Sequence, residues 1–348
     1  MLKVTEMHSY ETKLTMKKHL QFPHLAGPIV ASAALGLSLV ATPVVAQTLP
    51  PALVDEARDV VGGRVEALSV LSGDYGVQGG DFTKGGNDLH TTDLTLDKFG
   101  GGGDVGDPHQ LGNLPIGWQP RIQGSMGYSE AKNNYTAGPL NGDVNKFKTY
   151  AIQFGGGARF WFDDHFSLAP TFMGMYGNNQ NSYQAYSQFA RTNFTALSKA
   201  GLVNWRADTW SVIPGVDFSY TENFERVIMT VRSDFNYYHT ESFDTSTPHL
   251  SINGDSEILR NTVDVDVPLG AQLWGHELRT GGSLSRTEFF DGVKRGLNTD
   301  HLYEIHGRIV MDFLGQLWKV QWLGLGVSYF FGQDISGWGF GADVAFRF

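Results

Sequence analysis

A side-chain period of two, kept up over a long stretch, restricts this chain most, because only extended backbone turns successive side chains to opposite faces. The period begins at Ile116 and holds almost without interruption to Phe348. In its first segment Ile116, Trp118, Ile122, Met126 and Tyr128 share one face, against Gln119, Arg121, Gln123 and Ser125. In its last, Trp338, Phe340, Ala342, Val344, Phe346 and Phe348 oppose Gly339, Gly341, Asp343, Ala345 and Arg347. Between them the same alternation recurs over Phe147 to Phe162, His165 to Tyr176, Trp205 to Tyr220 and Arg226 to His239. It continues over Ile258 to Val267, Leu278 to Phe290, Tyr303 to Phe313 and Trp318 to Phe331, which makes ten strands read directly. Pro170 and Pro214 fall inside two of them, and each removes a ladder donor. A change of phase near Trp322-Leu323 predicts a bulge.

Strands that are apolar on one face only need water on one side of the sheet and grease on the other, and the connections say where the grease lies. After the second, fourth, sixth and eighth strands the links are short: Asp163-Asp164, Thr221 to Phe224, Pro268 to His276 and Leu314 to Leu317. After the first, third and fifth they are longer and polar: Ser129 to Lys146, Gly177 to Asn204 and Thr240 to Glu257. Short turns at one end and long loops at the other follow the rule of outer-membrane barrels, with both ends of the barrel in the periplasm. Composition agrees. The mean hydropathy is −0.21 and aromatics make up 13% of the chain, as expected when half of each strand faces a polar lumen and aromatic girdles sit at both interfaces. No later stretch reaches the ~18 uninterrupted apolar residues of a spanning helix. The reading is all-β: a transmembrane, antiparallel, up-and-down β-barrel of the bacterial outer membrane. Trp118, Tyr128, Phe162, Phe166, Trp210, Tyr220, Phe313 and Phe348 are expected in its girdles.

The first third reads differently. Met16-Lys17-Lys18-His19, the apolar run Ile29 to Ala41 and Val44-Val45-Ala46 make the three parts of a secretory signal, with translation from Met16 and cleavage after Ala46. Residues 1–46 are therefore assigned to the signal, 47–115 to a helix and Gly-rich linker, and 116–348 to the barrel. Leu53, Ala57, Val60, Val61, Val65, Leu68 and Leu71 recur at helical spacing, which predicts an amphipathic helix over Ala52 to Leu71, weakened at Gly62-Gly63. It belongs either in the barrel lumen or in the periplasm. Gly73 to Pro115 reads as a flexible connection. Its run Gly100 to Gly103 before Asp104 has neither the repeat of a calcium loop nor the Lys-Ser/Thr of a phosphate loop. Within it, Tyr75 to Phe82 and Leu89 to Phe99 are candidates for one more hairpin, which would raise the strand count to twelve.

Charge and residue types exclude several chemistries. A formal net charge of −10 argues against nucleic acid, and the absence of cysteine excludes disulfides, a thiol nucleophile and a Cys-ligated metal. The alternation turns Arg121, Arg159, Arg232, Arg260, Arg279, Arg308 and Arg347 inward, together with Asp217, Asp234, Asp264, Asp266, Glu304, Asp312 and Asp343. In a bore as narrow as ten to twelve strands allow, such side chains pair and fill the space. An ion-pair network is the reading, with a solute path lined by them as the alternative. A hydrolase would need a base at the external rim. The candidates are His239 with Glu241 and Asp244, followed by His249, and Asp300 with His301, none at a spacing that specifies a mechanism. No catalytic, cofactor or metal site is assigned.

Several stretches of the second half go beyond a generic barrel. His239 to Phe243, Arg260 to Leu269, Arg279 to Gly282, Trp318 to Gly326 and Gly337 to Phe348 resemble the solitary autotransporter-type β-barrel proteins of Gram-negative bacteria. The resemblance is best from Trp205 onward and extends back to Ile116. It implies a twelve-strand barrel related to autotransporter translocators, without a passenger and with an N-terminal helix in or near the pore. It assigns no functional residue. It also implies that Trp338, Phe340, Phe346 and Phe348 form the signal read by the barrel insertion machinery. Outer-membrane lipid and lipopolysaccharide are the other expected partners, and the barrel is expected to be a monomer without cofactor. The expected role is structural or surface-interacting; the alternatives are a narrow channel gated by the helix and an outer-membrane hydrolase.

Overall fold

A computed structural model describes residues 51–73, 79–87, 90–247, 250–317, 320–333 and 335–346. The signal region, His249, Arg347 and Phe348 lie outside the described residues. The strands are β1 (Gly80–Asn87), β2 (His90–Asp104), the two-residue β3 (His109–Gln110), β4 (Gly117–Tyr135), β5 (Val144–Trp161), β6 (Phe166–Gln184) and β7 (Arg206–Phe224). They continue as β8 (Val227–Thr245), β9 (Asn253–Leu273), β10 (His276–Phe290), β11 (His301–Leu317), β12 (Val320–Gly332) and β13 (Ile335–Phe346). Among the described residues three α-helices accompany them: α1 (Pro51–Gly73), α2 (Gln188–Lys199) and α3 (Asp291–Leu297). Among the described residues every strand but β3 joins one antiparallel up-and-down barrel of twelve, closed where β1 meets β13 in the register Asp81↔Trp338 to Lys84↔Ile335. The twelve-strand expectation thus holds, and the extra hairpin is β1 with β2; residues 75–78 of its expected first strand lie outside the described residues. The phase change expected near Trp322 appears as a register shift between Val320 and Trp322.

Two sequence readings are corrected. The Gly-rich stretch is not a flexible connection, because Gly100, Gly101, Gly102 and Gly103 lie within β2 opposite Ser125, Gly124, Gln123 and Ile122. A Cβ at Gly102 would come within 2.7 Å of the Gln123 Cβ, so the glycines let two strands approach closely where composition alone reads as a linker. The external loops are also shorter than expected. Strands β6 and β8 run on past Tyr176 and His239 to Gln184 and Thr245, since ladder bonds continue where the outward residues have turned polar. Inside the Gly177 to Asn204 segment α2 forms, with the Ser187 hydroxyl accepting the Ala190 N–H as its cap. The Asp143 carboxylate, fully buried, accepts from the Tyr183 and Ser187 hydroxyls and the Tyr186 and Ser187 amides, which ties this segment to the turn after β4.

The outward face is apolar between two aromatic levels. Along β5, Tyr150, Ile152 and Phe154 are half-exposed or more, and the rise from Tyr150 to Phe160 covers about 25 Å of barrel height at the usual tilt. The Tyr128 and Tyr150 rings pack tilted against each other at one level (4.8 Å), and those of Phe162 and Phe166 at the other (5.5 Å). Turns at the second level are tight. At the β9–β10 turn Trp274 and Gly275 both have positive φ, the pair that a two-residue hairpin of the strand's own twist requires. Helices α2 and α3 lie at the opposite end, which is therefore the external one.

Candidate functional site

The bore is where sequence pattern and packing converge. Helix α1 lies in its external half, with Val65, Ala67, Leu68, Val70 and Leu71 each under 5% exposed. They pack against inward residues that include Leu94, Phe147, Met173, Met175, Ile258 and Phe330. Burying five such side chains drives docking by roughly 25 cal/mol for each Å² of apolar surface removed from water. Polar contacts then set the depth. Ser69 donates to Asn179 Oδ1 (2.9 Å), Ser72 to the Ser129 hydroxyl (2.8 Å), Lys98 to the Leu71 carbonyl (2.8 Å) and Ser125 to the Gly73 carbonyl. At the outer end Arg58 donates to the Ala200 carbonyl beyond α2 (3.0 Å), so the helix N-terminus points to the external mouth.

Helix α3, in the loop between β10 and β11, clamps α1 from the side. The contact runs backbone to backbone: a Cβ on Gly296 would collide with the Gly63 carbonyl and come within 2.7 Å of the Ala67 Cβ. Gly296 is therefore the residue that lets the helices meet; a Cβ at Gly63 would make only ordinary contacts with α3, and one at Gly62 would touch nothing. One turn on, the buried Glu66 carboxylate accepts from Ser256, whose hydroxyl in turn accepts the Val293 N–H (3.1 Å), and it occupies the space that side chains at Gly254 and Gly292 would need. Desolvation pushes the Glu66 carboxyl up to about 7, against the Ser256 bond and Arg295, which pull it down. Asp291 and Asn298, at the two ends of α3, both adopt positive φ.

Below α1 the periplasmic half of the bore is charged. Arg121 reaches Asp104 (3.3 Å) and Asp217 (3.8 Å), Arg159 reaches Asp104 (3.2 Å), and Arg232 reaches Asp217 (3.9 Å). On the facing wall Arg279 joins Asp266 (3.0 Å) and Asp312 (2.8 Å), and Arg308 joins Asp264 (2.6 Å) and Asp266 (3.5 Å). Asp234 stands in register between Asp217 and Arg260 on the neighbouring strands. Glu304 accepts from the Ser328 hydroxyl, which His306 also contacts. Asp343 lies in β13 opposite Gly324. Sequence reasoning missed Asp104, which sits at the end of the Gly run set aside as linker, and it missed Glu66 and its cradle, whose partners lie 190 residues away.

The rim candidates separate. The two ring nitrogens of His239 meet Asp255 (2.8 Å) and Glu241 (3.3 Å), while Asp244 pairs with Arg206 (3.2 Å). Asp300 meets Lys294 (3.4 Å), and His301 packs edge-on to Tyr303. Among the described residues no cluster of His, Asp and Glu is arranged to hold a metal ion.

A closed twelve-strand barrel carrying an N-terminal helix in its bore narrows the comparison to translocators. The family model for the solitary outer membrane autotransporter beta-barrel domain matches residues 110–340. The chain belongs to this family. In fold it is similar to the beta domain of the Bordetella autotransporter BrkA, at 15% identity and a TM-score of 0.51, over 78% of this chain and 97% of that one. It is similar also to the transport unit of the autotransporter AIDA-I from Escherichia coli, at 9% identity and a TM-score of 0.57, over 84% and 99%. Identities this low concern the fold alone. Among curated proteins none matches. The solitary autotransporter barrel is a protein of the bacterial outer membrane with the translocator fold.

Proposed function

We propose that this solitary autotransporter barrel holds α1 in its own bore as a plug and works as a closed surface structure rather than as an open pore. The observation that carries the reading is the docking of α1: five buried apolar side chains, the hydroxyl contacts of Ser69 and Ser72, and the clamp of α3 at Gly63 and Glu66. The Arg and Asp pairs below it narrow the periplasmic half of the bore. With the bore filled, the external loops and the outer end of α1 are the parts left to meet a partner. No catalytic step is assigned, since both ring nitrogens of the rim His239 are engaged by carboxylates.

The remaining assignments follow from the same reading. Residues 1–46 act as the secretory signal, the barrel inserts as a monomer among lipid and lipopolysaccharide, and Trp338, Phe340, Phe346 and Phe348 present the insertion signal. Single-channel conductance of the refolded protein, beside a variant lacking Ala52 to Leu71, tests the plug. Silence from the intact barrel with conduction by the variant is expected. Steady conduction by the intact barrel would overturn the reading.

A further inference from the structure

Donors without acceptors gather on one side of α1 in the external half of the bore. The Arg64 guanidinium lies over the Phe147 ring at 5.5 Å, and the Trp205 ring, just ahead of β7, packs against the same phenyl at 6.2 Å. Among the described residues Arg64 makes no hydrogen bond and no ion pair, and its titratable neighbour is the Tyr135 phenol rather than a carboxylate. A ring face attracts the cation but leaves the N–H fork without oxygen acceptors. Trp205 is 4% exposed, and its indole N–H finds no acceptor, a cost that a buried donor carries until one is supplied. Asn133 adds a third donor. It is fully buried on β4 opposite Asn145, its Oδ1 accepts from the Thr92 hydroxyl (2.8 Å), and its Nδ2 is left over. Neighbouring acceptors are already engaged. Asn145 Oδ1 accepts from Asn181 (2.6 Å), whose backbone N–H holds the Trp205 carbonyl (2.9 Å), and the Asp143 carboxylate serves Tyr183, Tyr186 and Ser187.

We propose that Arg64, Trp205 and Asn133 bind a small oxyanion, a free carboxylate or phosphate that enters from the external mouth. A guanidinium fork matches two oxygens of such a group, and charge-assisted bonds are the strong ones. Trp205 and Asn133 donate to its other lone pairs, with the Phe147 and Trp205 rings as walls. Arg64 is carried by the helix, whereas Trp205 and Asn133 belong to the barrel. The bound anion therefore ties α1 to the wall and favours the docked state by mass action. The site needs α1 docked, as the plug does, but not a sealed bore: an intact barrel that conducts and still binds the anion would overturn the plug and leave this site standing.

Titration of inorganic phosphate, and separately of acetate, into the refolded barrel with isotope-labelled tryptophan indoles tests the site at constant ionic strength. The Trp205 indole resonance, identified by its loss in Trp205→Phe, is expected to shift and saturate. Arg64→Gln should raise the concentration needed by about tenfold, the scale of one charge-assisted hydrogen bond. Lys199→Gln, which removes an exposed charge of α2 that takes no part in the site, should leave the titration unchanged. Heat-modifiable migration of each variant shows that the barrel has folded. A Trp205 resonance unmoved by either oxyanion in the wild type would overturn the site, as would a folded Arg64→Gln barrel that binds as tightly, or equal weakening by Lys199→Gln. Saturation by chloride at the same concentration would make this a halide site and overturn the oxyanion assignment.

Discussion

Glu66 shows how one carboxyl can couple a helix to its surroundings. It lies at the external mouth, where burial lifts its carboxyl from 4.5 to about 7, with Asp255 and Asp291 adding to the rise and Arg295 opposing it. In the docked helix the proton is held up to a higher pH than in a released, hydrated one, so docking is strongest below 4.5 and weakens as pH rises through about 7. Plug release, read as channel openings, should therefore become more frequent between pH 5 and 8 and then level off. Glu66→Gln should flatten that dependence. An opening frequency independent of pH in the wild type would show that Glu66 does not titrate with docking. The lipid face supplies a second residue-scale prediction. Val265 faces outward in the middle of β9, between Met229 and Gly282 of its neighbours. Val265→Arg should cost roughly 2–4 kcal/mol or block insertion, checked by the yield of heat-modifiable barrel.

Between elements, the decisive contact is that of α1 with α3. Gly296 lets the α3 backbone approach the Gly63 carbonyl of α1, so Gly296→Val should push the helices apart without touching the barrel wall. The expected result is a barrel of unchanged heat-modifiability that conducts intermittently where the wild type is silent, and a silent Gly296→Val barrel would move the closure to the ion pairs below. This contact could not be read in advance. Gly296 answers to the Gly63 carbonyl of another element, and only the folded barrel brings the two to the same height. The helix itself was legible, because its apolar residues keep a period near 3.6 from Leu53 to Leu71.

For the whole molecule, function turns on what closes the bore. The plug and the charged layer are in series, so removing Ala52 to Leu71 opens the protein only if the Arg and Asp pairs leave a water path between the two walls. A single experiment on the deletion variant separates the cases: conduction assigns the closure to α1, and continued silence assigns it to Arg121, Arg159, Arg279, Arg308 and their partners. In the second case the external loops become the working surface.

What the residues determined alone is everything that depends on local periodicity. Alternation of Tyr150, Ile152 and Phe154 with Thr149, Ala151 and Gln153 states which face meets lipid, and it does so strand after strand because the side-chain period of a strand is two whatever its neighbours are. Parity of short and long links then stated which end faces the cell. Local pattern failed wherever the reason for a residue lay across the barrel: the glycines of β2 answer to Ser125 and Gln123, Asp104 to Arg121 and Arg159, and Glu66 to Ser256. Closing the sheet brought these distant positions to one height in one bore, and that spacing is a property of register and strand tilt rather than of any stretch of sequence.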